Sequence, residues 1–100
     1  MPHWHIEFWS NTGKRVKKGP IEKWLDTLTR EQLVSVSKEL ALLMKLGNEL
    51  RLPHSRALGS SLFELRERKF GYRLYYTFCD NRLIVVVASG DKKVRKGILV

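Results

Sequence analysis

A chain of 100 residues, 43% hydrophobic and 29% charged, has the size of one domain around one core, here taken as residues 1–100. No apolar run reaches the roughly 18–20 residues of a membrane helix, the opening MPHWHIEFW lacks the basic and long apolar regions of a signal peptide, and the lone Cys79 excludes an internal disulfide, a zinc finger or a CxxC pair. The chain carries 19 Lys and Arg against 10 Asp and Glu, a net charge of +9. Residues 51–100 hold eleven basic and four acidic side chains, residues 1–50 eight and six, and an excess gathered into one half points to a polyanionic partner, most often nucleic acid.

Trp4, Ile6 and Phe8 alternate with His5, Glu7 and Trp9, the period of a strand with one buried face. A turn at Asn11–Gly13 and a basic loop, Lys14–Lys18, follow. Gly19-Pro20 opens a helix, since proline is tolerated where the first amide has no partner, and Ile21, Trp24, Leu25 and Leu28 form its apolar stripe. Thr29-Arg30-Glu31-Gln32 has the form of a capping box, so a second helix starts there. Its stripe is Leu33, Val36, Leu40, Leu43 and Met44, Gly47-Asn48 supplies the stop, and Leu50 lies beyond it. The pair reads as a helical hairpin.

After Pro53 the period changes to two. Phe63 and Leu65 share one face of a strand over 62–68, and Glu64, Arg66 and Arg68 the other. Gly71 breaks the run. Tyr72, Leu74, Tyr76 and Phe78 then face one way and Arg73, Tyr75 and Thr77 the other. Cys79–Asn81 is a turn, Leu83–Ala88 is apolar on both faces as a central strand is, and a basic tail follows. The expected fold is α+β, a small antiparallel sheet in the order β-α-α-β-β-β with the N-terminal helical hairpin packed on one face. The other face then carries Arg66, Arg68 and Arg73, a platform suited to phosphate.

No Gly-rich phosphate loop, nucleotide fingerprint or GxSxG elbow is present. The polar residues that cluster are cationic: Arg56, Arg66, Arg68, Arg73, Lys92, Lys93 and Lys96. Such a set can promote RNA cleavage, in which the 2′-OH attacks the adjacent phosphate and arginine forks hold the developing charge. A lysine crowded by cations, or His54 after Pro53, could move the protons. Trp4, Trp9, Trp24, Tyr72 and Tyr76 are expected in the core rather than on a base-stacking surface, and Glu64 and Glu67 in cross-strand ion pairs, with Glu64 orienting Arg66 as the functional variant. No metal or other cofactor is expected.

Four stretches resemble the RelE/ParE superfamily of toxins, most closely its HigB-like, phage-related branch. They are HIEFW with the helix opening Gly19–Leu28, Leu46–Pro53 with Leu58 behind, the pair Leu62–Arg66 and Tyr72–Tyr76 (similar to LxELR and YRxxY), and Lys92-Lys93 after the apolar strand. The resemblance implies a RelE-like fold and a ribosome-dependent mRNA endoribonuclease working without metal in the cytoplasm. It also implies a cognate antitoxin, usually a helix-turn-helix protein, as partner. By position it assigns catalysis to Arg73, Arg66, Arg68, Lys93 and His54, and the remaining cations Arg56, Lys92, Arg95 and Lys96 are expected to contact RNA or the ribosome. The alternative is a basic binding module without nuclease activity, a decayed toxin or a ParE-like gyrase inhibitor.

Overall fold

The computed structural model describes residues 3–10 and 19–91. The expected turn at Asn11–Gly13, the basic loop Lys14–Lys18 and the tail cations Lys92, Lys93, Arg95 and Lys96 lie outside them. The elements are β1 (His5–Phe8), α1 (Pro20–Asp26), α2 (Arg30–Leu46), a 3-10 turn (Gly47–Glu49), β2 (Ser55–Gly59), β3 (Leu62–Glu67), β4 (Tyr72–Cys79) and β5 (Leu83–Asp91).

Local chemistry sets both helix starts. Glu22 Oε1 accepts the Gly19 N–H at 2.8 Å, occupying a donor at the head of α1. At α2 the capping box is complete: Thr29 N donates to Gln32 Oε1 at 2.9 Å and Gln32 N to Thr29 Oγ1 at 3.2 Å. Gly47 ends α2 at φ +54°, where the Trp4 indole occupies the space a Cβ would need. The turn it starts brings Leu50, which lies beyond the end of the helix as expected, back into the core. Leu33 and Met44, expected on the buried stripe, are instead exposed. The sheet covers only the narrower side of α2 centred on Val36 and Leu43, both fully buried.

The sheet has five strands in the order β1-β5-β4-β3-β2. Two features depart from the expected antiparallel sheet. Ser55–Gly59 forms an additional edge strand, paired antiparallel to β3. Its hairpin turns through Ser60 and Ser61, both at positive φ (52° and 65°). That turn normally selects Asn or Gly, so Ser-Ser gave no signal. β1 pairs in parallel with β5, His5 opposite Leu83 and Phe8 opposite Val86, so the sheet is mixed. After β1 the chain crosses one face through the helices, reaches the far edge as β2, and meanders back until β5 lies beside β1 in the same direction.

The helix-facing side is apolar. Leu65, Leu74, Tyr76, Ile84 and Val86 pack with Ile21, Val36 and Leu43 into one core, each such side chain contributing about 1.5–3 kcal/mol through burial. Phe63, Tyr76 and Phe78 contact one another, Trp4 meets Phe78, and Trp24 meets Tyr72 edge-on at 5.3 Å. Trp4, Trp24, Tyr72 and Tyr76 therefore belong to the core or its rim, whereas Trp9, at the end of an edge strand, is exposed. Tyr76 OH is hydrogen-bonded to Ser55 Oγ, tying the edge strand to the core. Burial pushes the Tyr76 phenol pKa up, partly opposed by that bond.

β5 contains a bulge. Tyr75 pairs with Ala88 but Tyr76 pairs with Val86, so Val87 is the extra residue. Ile84 and Val86 face the helices, and simple alternation would turn Ala88 and Gly90 the same way. The bulge reverses the phase and sends both to the opposite face, beside Tyr75 and Arg73.

Candidate functional site

The face away from the helices is built by the odd positions of β4 and the even positions of β2 and β3. In register, Arg56 lies across from Glu64 and Glu64 from Tyr75; one step on, Arg66 lies across from Arg73 and Arg73 from Gly90. The four-residue connection Arg68–Gly71 sets this pairing by placing Glu67 opposite Tyr72. Two arginines are thus directly opposed on neighbouring strands, an arrangement that repels.

Partial compensation comes from Glu64. Its Oε2 lies 3.6 Å from Arg73 Nε, and both residues are about 95% buried, 4% and 5% exposed. At that length the contact is an ion pair rather than a hydrogen bond, and the Nε atoms of Arg66 and Arg73 are both buried without a hydrogen-bond partner. Glu64 thus pairs with Arg73, not with Arg66 as the functional variant of the sequence reading had it. Beside Arg73, a Cβ added at Gly90 would meet no atom within 4 Å. Two guanidinium groups and one carboxylate, with open space at the Gly90 position across from Arg73, make a site short of one negative charge, suited to an anion with paired oxygens.

The other candidates are dispersed. Arg56 is exposed on the edge strand, next to the site through Glu64. Arg68 does not share the face of Arg66: β3 ends at Glu67 and Arg68 is exposed in the turn. Glu67 faces the helices instead of forming an ion pair. Its carboxylate accepts Ser35 Oγ at 2.6 Å and the Lys69, Phe70 and Tyr72 amides at 2.9–3.3 Å, which organises the β3–β4 turn. His54 sits just before β2. Its backbone oxygen accepts the Arg66 N–H at 2.8 Å, but its ring turns to α2, with Nδ1 3.0 Å from Glu39 Oε1. An ionised Glu39 makes Nδ1 the donor and leaves Nε2 for other partners. The cross-strand ion pair expected at Glu64 is present, with Arg73 as the partner that the sequence did not name, and sequence reasoning missed Glu39 and Gly90. Only the assumption of a four-residue β3–β4 loop could have opposed the arginines in advance.

Among the described residues no group of three or more His, Cys, Asp or Glu side chains could hold a metal ion, and no helix is long and apolar enough to cross a membrane.

A five-stranded mixed sheet with both helices on one face is the RelE-like fold, and solved structures share it. The isolated E. coli RelE toxin superposes with a TM-score of 0.59 at 15% identity over 96% of each chain. The toxin of the intact E. coli RelBE toxin–antitoxin complex gives 0.59 at 18% identity over 88% of this chain and 95% of that one. An arginine double mutant of E. coli RelE in complex with an antitoxin RelB peptide gives 0.61 at 16%, over 100% and 96%. No curated protein matches the chain. The model of the family described as Phage derived protein Gp49-like (DUF891) matches residues 23–97, and the chain belongs to that family.

Proposed function

We propose that this protein is the toxin of a type II toxin–antitoxin pair, of the HigB-like kind, and that it acts in the cytoplasm by cleaving mRNA on the ribosome. The observation that carries the reading is the directly opposed pair Arg66 and Arg73, partly neutralised by one carboxylate and beside open space. The E. coli RelE structures support it at the level of fold, and the RelBE complex and the RelE–RelB peptide complex support an antitoxin as partner.

In the proposed reaction the 2′-oxygen bonds to phosphorus as its proton leaves. The P–O5′ bond breaks, and the 5′-oxygen departs with a proton, giving a 2′,3′-cyclic phosphate and a 5′-hydroxyl. Charge on the non-bridging oxygens rises towards the transition state, where the Arg66 and Arg73 forks stabilise it more than in the ground state. Guanidinium groups hold their protons too tightly to act as bases. Lys93 is the proposed proton carrier, joined by His54 once its ring turns from Glu39 towards the arginine face, and Arg56, Arg68, Lys92, Arg95 and Lys96 are the proposed contacts to flanking phosphates and ribosomal RNA.

The test is cleavage of a programmed mRNA with ribosomes. Arg73→Lys should lose most of the activity, because an ammonium cannot reproduce the fork. A parent protein that cleaves nothing, with or without ribosomes, would refute the nuclease reading and leave the binding module. The partner is tested with the product of the adjacent gene, expected to be a helix-turn-helix protein. Its association rate should fall as salt rises if it covers the basic face.

A further inference from the structure

Glu64 stands out among the charged side chains of the site. A buried carboxylate in an anion-binding cluster opposes the ligand the cluster is to bind. It removes attraction from the ground state, and its burial costs desolvation that only the arginines can offset. Its register is also specific: it faces Arg56 on one side and Tyr75 on the other, with Arg73 diagonal to it. The contact reaches Arg73 at Nε, 3.6 Å away, on the side of the guanidinium that no hydrogen bond occupies.

We propose, resting on the nuclease reading above, that Glu64 is the positioning and charge-setting residue of the arginine pair, and that it makes the site selective for a phosphodiester over a terminal phosphate. Arg66, Arg73 and Glu64 together carry one positive charge, which matches the single negative charge of a diester. A terminal phosphate brings about two negative charges at neutral pH, and the second meets the Glu64 carboxylate. Charge that the diester gains in the transition state meets the same carboxylate, so the contribution of Glu64 to cleavage is the placement of Arg73 and not added attraction. By holding Arg73 from the Nε side, Glu64 also fixes the direction of the fork.

Two non-cleavable RNA oligonucleotides of one sequence test this, both 2′-O-methylated at the target step. One is an internal diester and the other ends there in a 3′-phosphate. The measured quantity is the ratio of their dissociation constants for the full-length protein. A unit charge some 5–6 Å from the ligand at an effective dielectric of about 20, partly screened by solvent, changes an affinity about tenfold or more. Glu64→Gln keeps the shape and removes the charge, so the ratio should shift about tenfold towards the 3′-phosphate RNA. kcat for the cleavable RNA should fall while KM does not rise. Glu64→Asp retains the charge and should keep the parental ratio. Arg56, exposed across from Glu64, adds only a solvent-screened charge to this balance, so Arg56→Gln should shift the ratio towards the diester by a smaller factor even if Glu64→Gln does not fold.

A role confined to stability would lower the melting temperature of Glu64→Gln and leave the ratio unmoved. An unmoved ratio in a folded Glu64→Gln, or in Arg56→Gln, overturns the proposal. If the ratio is unmoved while Arg73→Lys abolishes cleavage, only the role of Glu64 falls. If the parent neither cleaves nor binds either RNA, the nuclease reading falls first.

Discussion

Arg66→Ala should have opposite effects on stability and on activity. Arg66 lies directly across from Arg73, and its Nε is buried without a hydrogen-bond partner. Directly opposed strand residues have Cβ atoms about 5 Å apart, and two like charges at such a separation repel by roughly 3 kcal/mol at an effective dielectric of about 20, a value that solvent at the partly exposed Arg66 reduces. Removing Arg66 relieves that repulsion and leaves the Glu64–Arg73 pair whole, at the expense of some packing by the aliphatic stem. The folded state should be unchanged or more stable by about 1 kcal/mol, a rise of about 4–8 °C in Tm for a domain of this size. Cleavage should fall by about 10²–10³, the usual cost of one charge-stabilising donor. Arg73→Ala makes a sharp contrast. It strands a carboxylate that is 4% exposed, and breaking such a pair costs about 3–5 kcal/mol, so it should lose both stability and activity. The assays are thermal unfolding and single-turnover cleavage of ribosome-bound mRNA, with rates corrected for the folded fraction. An Arg66→Ala protein that melts well below the parent and cleaves at the parental rate would refute the reasoning on both counts.

Gly90→Val should fill the space beside Arg73 and weaken RNA binding while leaving Tm nearly unchanged, since no atom lies within 4 Å of the added Cβ; parental affinity would show that the anion does not sit there. Gly47→Ala should destabilise by about 2–4 kcal/mol in denaturant unfolding, combining the left-handed backbone penalty with displacement of Trp4. Tyr76 holds its proton more tightly in the folded than in the unfolded chain, because burial raises its pKa. Its contribution is therefore full below the unfolded value of about 10 and is lost as pH rises from there through the folded value. Unfolding measured in that range should be less steeply pH-dependent for Tyr76→Phe, and an unchanged slope would count against the assignment.

Features that rest on neighbours along the chain were legible in the sequence. The Thr29 capping box, the stop at Gly47 and the alternation through Phe63–Arg66 and Tyr72–Phe78 are each read within a few residues. All three stand in the structure because capping, helix termination and side-chain alternation are local. The α+β class followed, and so did the polar face carrying Arg66 and Arg73. Tertiary structure decided what depends on which strands meet. β2 escaped notice because Ser-Arg-Ala-Leu-Gly has no clear period and the edge of a sheet imposes none. The parallel union of β1 with β5 depends on the edge the chain reaches after its helices. Glu64 and Glu67, three apart on β3, point to opposite faces by simple alternation, but that one meets Arg73 and the other Ser35 and the turn amides depends on which elements pack against each face. The bulge at Val87 turned Gly90 towards Arg73 and so opened the space beside it. Such a phase reversal is a compromise between strand pairing and core packing, and it becomes visible only when the strands lie side by side.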